Sequence, residues 1–401
     1  MNKVSLTLET ITPLFLSGND QNSVEFRAPS IRGQLRYWYR ALLGGLGVTQ
    51  PNLLFDFESQ VFGKEEHGSR VLIRVKDIHF AGGRVRKNEE LDLGYDKTKK
   101  MTRHPGLTYL LYSTQLGGNK RPYADVGTTF TLDVSSFDMD GQKWLKLAAC
   151  AIWCWCHFGG LGSRARRGAG NIQVRRIAAE NKLLDDLPDL SLESVNDIAA
   201  LKDHLDSGLK SVRDLACELN GLAKKLPTNG LDFPVLHPKH TDIWIIKDTW
   251  NDALTAMEQV GDQFQKFRHK RAPDFPSVLD EYLSKGGLPR LERPTFGIPL
   301  QFRYRSAPDR KAMVETKNFV RRASPLILRF LRLGNGRILF LLIHLNSLFL
   351  PKGEQLKIED QSKGSKQRAQ FVNPPTPAAQ QSLIQSFRNQ FKGYLDVRSW
   401  L

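Results

Sequence analysis

The chain has 401 residues, 40% hydrophobic and 25% charged, the balance of a folded protein too long for one hydrophobic core. Lys and Arg (58) outnumber Asp and Glu (42), and the net charge of +16 favours a polyanionic partner, nucleic acid before an anionic membrane. The most apolar run, residues 338–350 (ILFLLIHLNSLFL), is too short and interrupted to span a bilayer and reads as a buried strand or strand pair, so no membrane association is expected.

The N-terminus alternates apolar and polar residues over 4–8, the pattern of a first strand and not of a signal peptide, which implies a cytoplasmic protein. A helix is predicted after Pro29, capped by Ser30 and ending at Gly44. Ile31, Leu35, Trp38 and Leu42 fall at helical spacing and form its buried stripe. Arg32, Arg36 and Arg40 stack on another face, with Arg27 just ahead. The ridge spans ~12 Å at ~1.5 Å per residue and begins where free N–H groups favour an anion. No acid lies at i±4, so phosphate contact is expected; a solvated basic face is the alternative.

Strands are predicted at 71–75 and 128–134, with residues 81–123, rich in Gly, Lys, Arg, Tyr and Pro, as a long basic loop between them. A helix over 141–158 stops at Gly159-Gly160. Its Cys150, Cys154, Cys156 and His157 invite a zinc reading. The CxxC pairing is absent and the flanks are apolar, so core packing is favoured and no metal, disulfide or other cofactor is expected.

Residues 159–170 (GGLGSRARRGAG) hold five glycines in twelve positions. Such a loop permits positive φ and brings backbone N–H groups, as at Gly160, Gly162, Ser163 and Gly168, close to an anion. Arg164, Arg166 and Arg167 add bidentate donors suited to phosphate, and Arg175 and Arg176 follow. The spacing fits neither a Walker loop nor a dinucleotide fingerprint, because the helix precedes the glycines. A flexible surface loop would explain the glycines but not the arginines.

Residues 177–228 turn Leu-rich and acidic and suggest a pair of amphipathic helices, packed on a domain face or a partner subunit. Beyond them, strands are predicted at 243–246, 298–304, 326–332 and 338–345, helices at 248–260 and 380–391, and a mobile polar loop at 353–377. Phe302 and Tyr304 share one strand face and read as core, with Arg303 and Arg305 opposite. Arg321 and Arg322, in loop context ahead of a strand, are better phosphate ligands; residues 265–271 form a further basic cluster. The pattern is α+β and divides into 1–176, 177–228 and 229–401, each large part resembling a βαββαβ unit.

The segments PSIRGQLRYWYRA, GGLGSRARRGAGN and, after FGIPLQFRYR, RRASPLILRF occur in an order that resembles the Cmr1-type branch of the RAMP superfamily. Members are the first RAMP subunit of the Cmr, or type III-B, CRISPR effector complex. The resemblance implies two ferredoxin-like (RRM-like) domains with an inserted helical segment. It implies a non-catalytic subunit that binds the 3′ part of the guide RNA, helps capture target RNA, and assembles with other RAMP subunits. It carries Arg32, Arg36 and the loop from Gly160 to Gly170 over as RNA contacts, and places Trp38 and Tyr39 in the family's aromatic slots. Phenylalanine or tryptophan is commoner in the family where Tyr37 and Tyr39 stand. The alternative is a guide-processing endoribonuclease, since related RAMP proteins cut repeat RNA with a histidine near the 2′-OH. Here His157 sits in an apolar helix and His269 has no recognisable partner.

Overall fold

The computed structural model describes residues 2–20, 22–98, 101–115, 120–179, 185–223, 231–270, 274–304, 306–319, 321–365 and 368–400. Alternation at the N-terminus builds β1 (Asn2–Thr10), which buries Val4, Leu6 and Leu8. Helix α1 (Ala28–Gly45) starts earlier than expected. Arg27 takes the extended cap position, Pro29 presets the first turn, and Ser30 lies inside the helix. The buried stripe is as read, with Ile31, Leu35, Trp38 and Leu42 all buried.

Helix α2 (Pro51–Phe62) and strand β2 (Leu72–His79) follow. The segment expected as a loop then forms two-residue strands β3 (Tyr95–Asp96) and β4 (Met101–Thr102) and helix α3 (Pro105–Leu111). Strand β5 (Thr129–Ser136), helix α4 (Gly141–Phe158) and strand β6 (Ile172–Ala179) complete an antiparallel sheet in the order β2-β5-β1-β6. A single 22-residue helix, α5 (Ile198–Leu219), stands where a helix pair was expected. The Asp197 carboxylate accepts from the Ala200 N–H at its N-cap, and the helix packs on α4 and α1 of this same chain.

The second half runs β7 (Thr241–Trp250), α6 (Ala253–Lys270), the short α7 (Asp274–Pro276) with π-helical turns at Ser277–Ser284, β8 (Leu300–Arg303), β9 (Lys311–Thr316), β10 (Leu326–Arg332), β11 (Ile338–Leu345), β12 (Leu356–Asp360), β13 (Ala369–Val372), α8 (Pro377–Arg388) and β14 (Tyr394–Asp396). Its main sheet is ordered β10-β11-β7-β14 and repeats the connection pattern of the first. In each, the first strand lies inside, beside an antiparallel strand pair on one flank and the last strand on the other. The stretch expected as a mobile loop supplies β12 and β13 of a third antiparallel sheet, β13-β12-β9-β8, where Leu356 and Ile358 are buried against Phe302 and Val314. Phe302 and Tyr304 are core, as read; Arg305 lies outside the described residues.

All eight residues of β11 are buried because both faces of its sheet are covered. Phe340 and Leu342 pack with Phe264 of α6 and Phe387 of α8, while Leu339, Leu341 and Ile343 join the core containing Leu205 and Leu209 of α5. A strand covered on both sides reads as a continuous apolar run. The halves are also sewn edge to edge. Asn171 Oδ1 accepts from the Phe330 N–H (2.7 Å), and the Gln173 amide exchanges two hydrogen bonds with Arg332 across β6 and β10. Helix α3 presses Gly106 onto Gly261 of α6, where a Cβ on either glycine would collide with the other helix's backbone.

Candidate nucleic-acid interface

The glycine-rich loop is the hinge between α4 and β6, and it folds as a compact turn. Positive φ occurs at Gly162, Arg164, Gly168 and Gly170. Its N–H groups at Leu161, Ser163, Arg167, Ala169 and Gly170 donate to protein carbonyls, including those of Phe15 and Pro13. Of the four N–H groups expected to face an anion, that of Ser163 is engaged by Phe15 O instead, and Gly168 lies against the Phe330 ring. What the loop presents is its side chains. Arg164 Nε donates to Leu110 O (2.6 Å) with the guanidinium over the Tyr112 ring. Arg166 donates to Ser324 O (2.7 Å) and the Tyr37 hydroxyl (3.0 Å). Arg167 is 9% exposed, donates to Phe296 O, and lies over Phe264. Its Nη1 has no partner among the described residues.

These side chains form one wall of a cleft of about 860 Å³ between the two halves. Gly160, Gly162, Ser163, Arg164, Arg166 and Arg167 line it from the first half; Arg268, Arg321 and Arg322 face them from the second. Arg121, tied to Ser163 Oγ (3.0 Å), brings the lining arginines to seven. Among the described lining residues there is no aspartate, glutamate or histidine. Burial is the largest effect on Arg167 and pushes it down to about 9, with Arg268 and Arg164 adding like charge. Burial also lowers Arg164 and Arg322. The guanidiniums remain charged at neutral pH, so the cleft holds mutually repelling cations that an anion would relieve.

The helix ridge is arranged differently. Arg36 pairs with Glu58 Oε1 (2.7 Å) and donates to the carbonyls of Phe62 and Gly63, while Arg40 pairs with Glu58 Oε2 (2.8 Å). The neutralising acid comes from α2, so the expectation of an unneutralised ridge is corrected, and Arg36 and Arg40 fasten α1 to α2. Arg27 reaches Ser17 O and Glu25. Arg32 is half-buried, and its Nε has no partner among the described residues. None of these four lines the cleft. Glu58 is 1% exposed, and Glu58→Ala is expected to lower stability by about 2 kcal/mol. Two charged hydrogen bonds are lost, but both arginines can turn toward water. An unchanged urea midpoint would show that the pairs contribute nothing.

Sequence reasoning grouped Arg164, Arg166, Arg167, Arg321 and Arg322 as ligands, and the fold brings all five into the cleft. It missed Tyr109, Tyr112 and Arg121, which lay inside the basic segment read as a loop, and Arg268, which was seen only as part of a basic cluster whose Arg271 lies outside the described residues. His157 is buried, its Nδ1 donating to Trp153 O (2.8 Å) and its Nε2 facing His204 Nε2 (2.9 Å). His269 is exposed on α6. The four cysteines are free and buried, which pushes the Cys150 and Cys156 thiols up to about 12. No three metal-ligating groups converge among the described residues, and no helix among them is long and apolar enough to cross a membrane.

The RAMP superfamily sequence model matches residues 7–173, from β1 through the glycine-rich loop. CRISPR system Cmr subunit Cmr1-2 of Pyrococcus furiosus is 31% identical over 188 residues, 44% of this chain and 97% of that protein. Cmr subunit Cmr1-1 of the same organism is 27% identical over 324 residues, 79% of this chain and 80% of its own. Among solved structures, apo Cmr1 from Pyrococcus furiosus covers 100% of both chains with a TM-score of 0.62 at 21% identity. A chain of the Type III-B Cmr-beta complex bound to cognate target RNA covers 97% of this chain and 99% of its own, with a TM-score of 0.51 at 14% identity. The family match falls on the half that carries the loop, and nearly the full length of one relative is covered at close to one residue in three. The chain therefore belongs to the Cmr1 family of the RAMP superfamily.

Proposed function

We propose that the chain is a cytoplasmic, non-catalytic RNA-binding subunit of a type III-B CRISPR effector complex. It contacts the 3′ part of the guide RNA and helps capture target RNA, alongside other RAMP subunits, through phosphates held in the cleft. We read the two sheets with matching strand order as ferredoxin-like units, meeting a helical connector near residues 176 and 228. The observation that carries the reading is the convergence of seven arginines from four separate segments on one cleft with no acid among its described lining residues.

The open sheet faces are poorer candidates. The middle strands of the second main sheet are covered on both sides. The outer face of the first carries Ser5, Thr7, Thr131 and Asp133, with Asp133 paired to Lys3 and Lys76, and offers no aromatic platform there. The non-catalytic reading is supported by the absence of a histidine or carboxylate among the described lining residues, since cleavage at a 2′-OH needs a proton acceptor in reach.

Binding of single-stranded RNA to the full chain across a salt series tests this. Log affinity is expected to fall with log salt at a slope of about −0.7 per phosphate contacted. Arg321 is exposed and has no partner among the described residues, so Arg321→Ala is expected to keep the thermal midpoint. It should weaken RNA roughly fourfold near physiological salt and flatten the slope by about 0.7. Salt-independent binding, or site-specific cutting of repeat RNA that co-purifies with the chain, would overturn the proposal.

A further inference from the structure

Three tyrosines line the cleft, and each has a guanidinium on its ring. Arg164 Cζ lies 5.0 Å from the Tyr112 centroid, Arg166 Cζ 5.2 Å from Tyr37, and Arg268 Cζ 5.7 Å from Tyr109. Tyr37 and Tyr109 are half-buried and also meet other rings edge-on, at Trp38 and Phe264. Tyr112 differs: its side chain is 51% exposed, and no aromatic ring packs on it among the described residues. It sits on the 3-10 turn that follows α3, and Arg164 is held beneath it by the bond from its Nε to the adjacent Leu110 carbonyl. An aromatic ring braced on one face by a fixed cation and open to water on the other is a platform for a flat, π-rich group.

Phosphates alone would not require such a platform, and solvent does not favour leaving it bare. We infer that the cleft takes unpaired nucleotides, with a base stacked on Tyr112 while Arg164, Arg121 and Arg321 hold the flanking phosphates. This rests on the RNA-binding reading of the cleft and names the form of RNA it accepts. The size of the cavity points the same way. About 860 Å³ lies within the ~300–1,000 Å³ range of sites that enclose small ligands, room for a nucleotide or so and not for a double helix. A duplex hides its base faces in its own stack and could offer only phosphates to the rim, whereas single strands present bases that stack on aromatic side chains regardless of sequence.

The test compares three probes of equal length with the full-length chain: an oligouridylate, the same strand with abasic sugars throughout, and a blunt RNA duplex. The unpaired strand is expected to bind at least ~10-fold more tightly than the abasic strand, which keeps every phosphate but has nothing to stack. It should likewise outcompete the duplex. Tyr112→Ala is expected to erase the difference between normal and abasic strands, and Tyr112→Phe to preserve it; an exposed side chain makes both variants tolerable to the fold. Equal affinities for normal and abasic strands, or for strand and duplex, with the steep salt slope intact, would overturn the inference and leave the phosphate-binding reading standing. Absence of salt-dependent binding to any of the three would overturn both.

Discussion

Arg329→Met is expected to lower the stability of the chain by about 4 kcal/mol, read as a drop in the urea and thermal midpoints. Arg329 is 0% exposed in the middle of β10, and its guanidinium donates to His157 O (3.2 Å), Ile172 O (2.5 Å) and Cys156 O. The carbonyls of Cys156 and His157 belong to the last turn of α4, where no further helical N–H exists to meet them. Carbonyls there also carry the negative end of the helix dipole, which a cation complements. Two terms oppose each other. Keeping a charge in this dry seam is unfavourable, as the shift of Arg329 down to about 9 by burial shows. Removing it strands three buried acceptors at about 1–3 kcal/mol each. The second term wins, because Met fills the volume yet donates nothing. Arg332→Met, which removes a half-exposed partner of Glu9, is the control and should cost about 1 kcal/mol or less. Equal midpoints for Arg329→Met and wild type would mean that water enters the seam and satisfies the carbonyls.

Arg329 also shows where reading the sequence runs out. Within RRASPLILRF it looks like one more basic residue, yet the fold makes it a helix cap reaching from one half of the chain to the other. What was legible was local. The spacing of Ile31, Leu35, Trp38 and Leu42 marks a helix face whatever surrounds it, and the apolar run Ile338–Leu345, broken only by His344, marks a strand covered on both sides. What was not legible depended on partners far along the chain. Arg36 and Arg40 looked unneutralised because Glu58 lies 22 and 18 residues on, in the next helix. Strands β12 and β13 were hidden in a polar stretch because only Leu356 and Ile358 of β12 reach a small satellite core. The cleft was half legible: the glycine loop and Arg321-Arg322 announce an anion, but nothing in Arg121, Tyr112 or Arg268 says that they meet there. That meeting is set by α3 packing on α6 through Gly106 and Gly261.

Acid should destabilise the chain well before its carboxylates titrate, with a loss of about 3 kcal/mol or more between pH 6.5 and pH 5. The cause is a set of buried histidines. His157 is fully enclosed, and burial holds it well below its ordinary value, with His204 and Arg329 adding like charge. Because its Nδ1 donates to Trp153 O, its Nε2 accepts from His204, and burial lowers His204 too, against a weak opposing pull from Asp189. Protonating both rings would set two cations 2.9 Å apart beside a buried arginine. His237 is pushed down to about 4, by burial first and then by Arg213, His240 and Lys239. In each case the folded state resists protonation while the unfolded chain takes up a proton near pH 6.5. Stability is therefore fully present above that pH and falls as pH drops below it, by about 1.4 kcal/mol per pH unit for each histidine kept neutral. His157 and His237 alone give the stated loss, and His204 adds to it. Asp133 and Asp360, both held below the usual carboxylate value, contribute only at still lower pH. Urea midpoints at pH 7.5, 6.5 and 5 check the slope, and His157→Gln should flatten it. A stability profile level from pH 7.5 to 5 would mean that the α4–α5 contact opens readily enough to let these rings ionise in place.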